Sequence, residues 1–118
     1  MAHAPEFLAM VEEVRKRIKE ISPEEAASLI QAGALVIDVR DKEEFAGECI
    51  DGAVNISRGT LEMRISEVVP DKSTPVVCYC AGGNRGALAT ATLVKMGYKN
   101  AVSIAGGLKG YRATVKED

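Results

Sequence analysis

The stretch "TPVVCYCAGGNRGALA", residues 74–89, decides the reading of the fold. Its first half is rich in β-branched and aromatic residues and reads as a strand. Two glycines then punctuate the chain, and a run of small helix-compatible residues follows. This is a strand, a tight loop and a helix in succession, with Cys80 at the mouth of the loop and Arg85 just past it.

The same alternation extends in both directions. Upstream, "ALVIDV", residues 34–39, is a near-continuous apolar run suited to a strand covered on both faces. "SPEE", Ser22–Glu25, opens a helix. Ser22 can cap it, Pro23 suits its first position and Glu25 can close a capping box, with Gly33 as the stop. Residues 41–48 read as one or two helical turns, 52–56 as a short strand and 59–68 as a helix. Downstream, residues 85–96 place Ala87, Leu88, Ala91 and Val94 on one face, with small residues that allow close packing on the sheet, and Gly97 ends that helix. Residues 100–104 read as a last strand and 106–112 as a turn and short helix. Strands alternating with helices imply right-handed crossovers and a parallel sheet with helices on both sides. Ligands of such sheets bind beyond the carboxyl ends of the strands, where Cys80 stands.

Residues 6–20 predict an amphipathic helix. Phe7, Met10, Val11, Val14, Ile18 and Ile21 form its apolar stripe, and Glu12–Lys16 and Glu13–Arg17 are spaced for ion pairs. Its end, Ile18–Ile21, also fits a short first strand. The helix either packs on its own domain or makes a homodimer or partner contact. Residues 1–17 are read as an N-terminal, helical extension and 18–118 as the domain proper.

The 118 residues suit one domain, and 47% apolar residues suffice for a core. A net charge of −2 gives no electrostatic case for nucleic acid. No apolar run approaches about 18 residues, so no membrane span is expected, and no signal peptide is recognised. Three cysteines, Cys49, Cys78 and Cys80, argue against a disulfide framework and for a reducing, cytoplasmic setting. The only histidine, His3, lies in a terminus expected to be loose. A Cys–His couple is therefore not expected, nor a zinc site, nor any metal or cofactor.

The loop itself carries a chemical argument. Gly82 and Gly83 allow backbone conformations that turn successive N–H groups inward as an anion-binding nest. The start of the following helix adds partial positive charge, and Arg85 a full one. All three favour a thiolate at Cys80. Cys78, inside the strand, reads as a small buried hydrophobe. The loop is neither a dinucleotide fingerprint nor a Walker loop, and Cys78 and Cys80 are one residue too close for a redox C-x-x-C pair. Cysteine phosphatases place five residues between nucleophile and arginine. Here Ala81, Gly82, Gly83 and Asn84 make four, which points to a smaller reacting centre such as a single sulfur.

From these residues the sequence resembles the rhodanese family. "VIDVRDKEEF" (36–45) and "IDGAVNI" (50–56) are similar to its first signature. "VVCYCAGGNRGALA" (76–89) resembles its active-site loop, and "LVKMGYKNAVSIAGGLKGY" (93–111) its C-terminal signature. The resemblance runs from about Ile18 to Tyr111. It implies an α/β domain with a central parallel sheet of about five strands. It also implies a sulfurtransferase in which Cys80 takes sulfur from a small anionic donor such as thiosulfate, holds it as a persulfide and passes it to cyanide, a thiol or a protein thiol. On that resemblance Arg85 and the backbone of Ala81, Gly82, Gly83, Asn84 and Gly86 bind the donor. Asp38 and Arg40 brace the loop from behind, with Glu44 a candidate partner. Where the family often has Gly-His, this chain has Glu48 and Cys49, so Cys49 is a candidate second thiol. Tyr111 stands where the family often has Trp. The alternatives are a non-enzymatic sulfur-carrier or docking module, and a cysteine phosphatase or arsenate-type reductase, which the short loop disfavours.

Overall fold

The computed structural model describes residues 3–115. Residues 1–2 and 116–118, the outer ends of the two predicted segments, lie outside the described residues. Five strands, β1 (Glu20–Ile21), β2 (Leu35–Asp38), β3 (Val54–Asn55), β4 (Val76–Tyr79) and β5 (Ala101–Ile104), alternate with helices. They form one parallel sheet in the order β1-β5-β4-β2-β3. The helices are α1 (Pro5–Arg15), α2 (Pro23–Gln31), α3 (Lys42–Gly47), α4 (Leu61–Val68), α5 (Asn84–Lys95) and α6 (Gly107–Thr114). A 3-10 turn, Arg58–Thr60, leads into α4.

Residues of the central strand β4 alternate between the two faces, as the pleat requires. Val76 and Cys78 face a core shared with Ile37, Leu61, Ile65, Ala89 and Leu93 of β2, α4 and α5. Val77 and Tyr79 face the opposite core, with Ala26 of α2 and Leu108 and Tyr111 of α6. Register is fixed by this alternation: Ile37 pairs with Cys78, and Cys78 with Ser103.

The local signals were read correctly. Ser22 accepts the Glu25 N–H at 3.1 Å while Glu25 accepts the Ser22 N–H at 3.2 Å, closing the capping box of α2. Gly33 and Gly97 follow α2 and α5 with positive φ. Four readings need correction. Helix α1 ends at Arg15, because Glu20 and Ile21 leave it to pair with β5. The face assigned to α5 is not its sheet face. Gly86, Ala89, Thr90 and Leu93 are buried, whereas Val94 is exposed. Ala87, Leu88 and Ala91 instead meet Val11 and Val14 of α1 in a third, smaller core. Within α1, Met10 is exposed, and Glu13 rather than Glu12 stands beside both Lys16 and Arg17, at 3.9 Å each. So α1 lies on α5, the helix that begins at the loop after Cys80.

Candidate active site

Cys80 is the first residue after β4. Its side chain belongs to the core beneath α5 and is 1% exposed. The Gly83 N–H donates to Cys80 Sγ at 3.1 Å. That return is possible because Gly83 has φ +111°, a region closed to most side chains. Helix α5 starts at the next residue. The Ala87 N–H reaches the Gly83 carbonyl at 3.0 Å, which leaves the amides of Asn84, Arg85 and Gly86 without acceptors inside the helix. Gly86 is buried in that first turn, against Tyr79 and the Cys80 amide nitrogen. The partial positive charge of the helix start lies beside the sulfur loop.

A second helix start holds the loop from the other side. The Leu108 N–H donates to the Cys80 carbonyl at 2.8 Å, and the Lys109 N–H to the Ala81 carbonyl at 3.1 Å. The N–H and C=O of a trans peptide point in opposite directions. Drawing these two carbonyls to α6 therefore turns the Ala81 and Gly82 N–H groups away from α6. Gly107 permits the approach: a Cβ there would lie 2.5 Å from the Cys80 carbonyl oxygen and 2.7 Å from that of Ala81. The paired glycines of "IAGGLKG" were the available sequence signal for this contact.

Arg85 and Glu44 are brought together as a two-pronged pair, at 2.8 and 3.1 Å. Glu44 also accepts the Asp41 N–H at 3.1 Å, so one carboxylate fixes the start of α3 and the rim of the loop. The Arg85 guanidinium holds the Glu44 carboxyl down at about 2. Glu44 thus accepts its hydrogen bonds from Arg85 and from the Asp41 N–H, and it attracts Arg40 without a hydrogen bond between them. Asp38 and Arg40 pair with each other, Arg40 Nη2 lying 2.7 Å from Asp38 Oδ2, and both are buried. Arg40 also donates to the Glu48 carbonyl at 2.6 Å and stacks 5.8 Å from the centre of the Tyr79 ring. The Ile50 N–H donates to the Tyr79 hydroxyl at 3.0 Å, and burial pushes the pKa of that phenol up, keeping it protonated. This knot ties the end of β2 to the segment 48–50 and to β4.

Cys78 is wholly buried, and desolvation pushes its thiol up to about 12, which removes it as a nucleophile. Cys49 is half-buried. Its carbonyl accepts from Arg112 at 2.6 Å, and its side chain does not line the cleft above Cys80.

That cleft has a volume of about 380 Å3, and Cys80 contributes to its floor. Ala81, Gly82, Asn84 and Arg85 form one side and Lys109 another, while His3 and Phe7 close it from the α1 side. The histidine assigned to a loose terminus therefore lies at the site, its ring 5.1 Å from that of Phe7. Arg15, at the other end of α1, donates to Asn84 Oδ1 at 3.3 Å and pairs with Glu20 at 3.1 Å. Sequence reasoning missed His3, Phe7, Arg15 and Lys109. Nothing in the local sequence joins α1 to a loop some seventy positions later.

A cysteine on a glycine loop at the carboxyl end of a parallel strand, held between two helix starts, marks an α/β protein with one thiol seated at the end of its sheet. The chain belongs to the rhodanese-like domain family, whose pattern matches residues 22–114. It is 40% identical over 96 residues to thiosulfate sulfurtransferase GlpE of Pseudomonas entomophila, covering 81% of this chain and 86% of that one. Among solved structures it is similar to a human single-domain sulfurtransferase, with a TM-score of 0.73, 29% identity, and 82% and 97% of the two chains covered. It is also similar to a protein of unknown function from Rhodopseudomonas palustris, described as a possible tyrosine phosphatase. There the TM-score is 0.84 at 29% identity, with 96% and 93% covered.

Two outcomes follow from this geometry. Gly107→Ala should lower stability by at least about 2 kcal/mol, through backbone strain and a contact that only backbone can relieve. Chemical denaturation measures this; a Gly107→Ala protein as stable as wild type contradicts the account. Glu44 has its carboxyl lowered from 4.5 to about 2, so its pairing stabilises the fold fully above about pH 4.5 and is lost as pH falls through about 2. The difference in Tm between wild type and Glu44→Gln should therefore narrow between about pH 5 and about pH 2; a constant difference contradicts it.

Proposed function

We propose that this protein is a sulfurtransferase that carries sulfane sulfur as a persulfide on Cys80. The single observation that carries the reading is the Gly83 amide on Cys80 Sγ at 3.1 Å, at the floor of a cleft. The Cys80 thiolate attacks the outer sulfur of a thiosulfate-like donor. The sulfur–sulfur bond of the donor breaks, and its electron pair leaves with sulfite. The new outer sulfur carries the negative charge. A thiophilic acceptor, whether cyanide, a thiol or a protein thiol, then attacks that sulfur and regenerates the thiolate. Both steps balance without an oxidant or a cofactor.

The loop amides of residues 81–86, with Asn84 and Arg85 on the cleft wall, receive the charge of donor and persulfide as an oxyanion hole does. Glu44 and the Asp38–Arg40 pair are positioning residues in this scheme. Cys49 enters it only as a second thiol that could take over the persulfide. The name shared by the Pseudomonas relatives, thiosulfate sulfurtransferase, supports a thiosulfate-like donor. With Cys80 1% exposed, the donor must descend through the cleft to reach the sulfur.

Phosphatase chemistry, suggested by the description of the Rhodopseudomonas protein, is weighed down here by the four-residue spacing between Cys80 and Arg85. A cytoplasmic setting fits the free cysteines, and among the described residues no helix is long and apolar enough to cross a membrane. A homodimer through α1 would have to use exposed Leu8 and Met10, since Val11 and Val14 are committed within the chain.

The test is intact-mass measurement after incubation with thiosulfate. The expected result is a gain of one sulfur atom, lost on adding cyanide and absent in Cys80→Ser. No gain with any sulfane donor points instead to a docking module, and turnover of an aryl phosphate to a phosphatase.

A further inference from the structure

We propose that Lys109 supplies the uncompensated positive charge of the Cys80 cleft and thereby selects anionic sulfur donors, holding the group that departs from the transferred sulfur. The inference rests on the sulfurtransferase reading of that same site. Among the described residues, Arg85 and Lys109 line the Cys80 cleft, and Arg15 reaches its wall through Asn84. Arg85 gives two N–H groups to Glu44, at 2.8 and 3.1 Å. Arg15 is paired with Glu20 and bonded to Asn84. Each is a near-neutral unit together with its carboxylate, and such pairs project little net field into a solvated cleft. Lys109 differs. It is exposed and lines the cleft with Cys80, and no carboxylate among the described residues pairs with it.

Its backbone is fixed where the charge is needed. The Lys109 N–H is bonded to the Ala81 carbonyl at 3.1 Å, one residue from the reacting sulfur. The side chain therefore starts from a point set by the loop, while its four-carbon stem lets the ammonium follow a moving anion. Lys109 also borders a second cleft of about 300 Å3, formed with Arg40, Glu48, Ala81 and Arg112. Its ammonium can thus draw an anion to the cleft and accompany it away. When the Cys80 thiolate takes the outer sulfur of thiosulfate, the dianionic sulfite must leave past Lys109. A donor with a neutral leaving group gains nothing from this residue.

The test compares wild type, Lys109→Gln and Lys109→Arg by two readouts. The first is the second-order rate of sulfur loading from thiosulfate, followed by mass. The second is the rate at which Cys80, identified on its own peptide, is alkylated by anionic iodoacetate relative to neutral iodoacetamide. Lys109→Gln should slow loading about three- to tenfold and lower the iodoacetate-to-iodoacetamide ratio by a similar factor, with both effects shrinking at high salt. Lys109→Arg should restore both. An unchanged ratio in Lys109→Gln overturns the proposal. The alkylation arm needs no sulfur transfer: if wild type never takes up sulfur, the sulfurtransferase reading fails, and the ratio still decides whether Lys109 governs anions at Cys80.

Discussion

Two helix starts converge on four residues, and the rest of the site depends on that convergence. The N–H groups of Leu108 and Lys109 at the start of α6 take the carbonyls of Cys80 and Ala81. The start of α5 is left with its first amides free beside the sulfur. Each of the two α6 bonds contributes only about 1 kcal/mol. Their importance lies in direction. A loop of two glycines has many conformations, and tying two consecutive carbonyls to one helix selects the one in which donors rather than acceptors surround the sulfur. The carbonyls, which would repel a thiolate or an anionic donor, are already engaged elsewhere.

The charged residues around the loop follow from the same need. Asp38 and Arg40 are buried, and a buried pair is retained only with full hydrogen bonding. Here Arg40 is satisfied by Asp38 and the Glu48 carbonyl, and the Arg40 carbonyl by Asn55 and Ser57. The result is a rigid floor behind β4. Glu44 and Arg85 form a more exposed counterpart at the rim. Arg15 reaches the loop through Asn84 and so makes α1 part of the wall of the site, together with His3 and Phe7.

What was legible in the sequence was local. The capping box of Ser22 and Glu25, the glycine stops at Gly33 and Gly97 and the alternation of strands with helices all rest on neighbours a few residues apart. The position of Cys80 at a strand end was legible for the same reason. The sheet face of α5 was misread because that helix is covered on two sides. Its contact with α1 uses an unbroken row of Ala87, Leu88 and Ala91, whereas its contact with the sheet includes Gly86 and Thr90, which break the apolar stripe. The pairing of Glu44 with Arg85 was not legible because the two lie 41 positions apart, nor was the reach of α1 to the loop, because Asn84 lies 69 positions from Arg15. Those contacts exist only once the sheet has set the order of its strands.

The most direct measurement is a crystal structure of the protein after reaction with thiosulfate. The account predicts one additional sulfur atom bonded to Cys80 Sγ, within hydrogen-bonding reach of amides from residues 82–86 and open to the cleft that His3, Phe7 and Lys109 border. An unmodified Cys80 beside a persulfide on Cys49, or an added sulfur that no loop amide approaches, would contradict it.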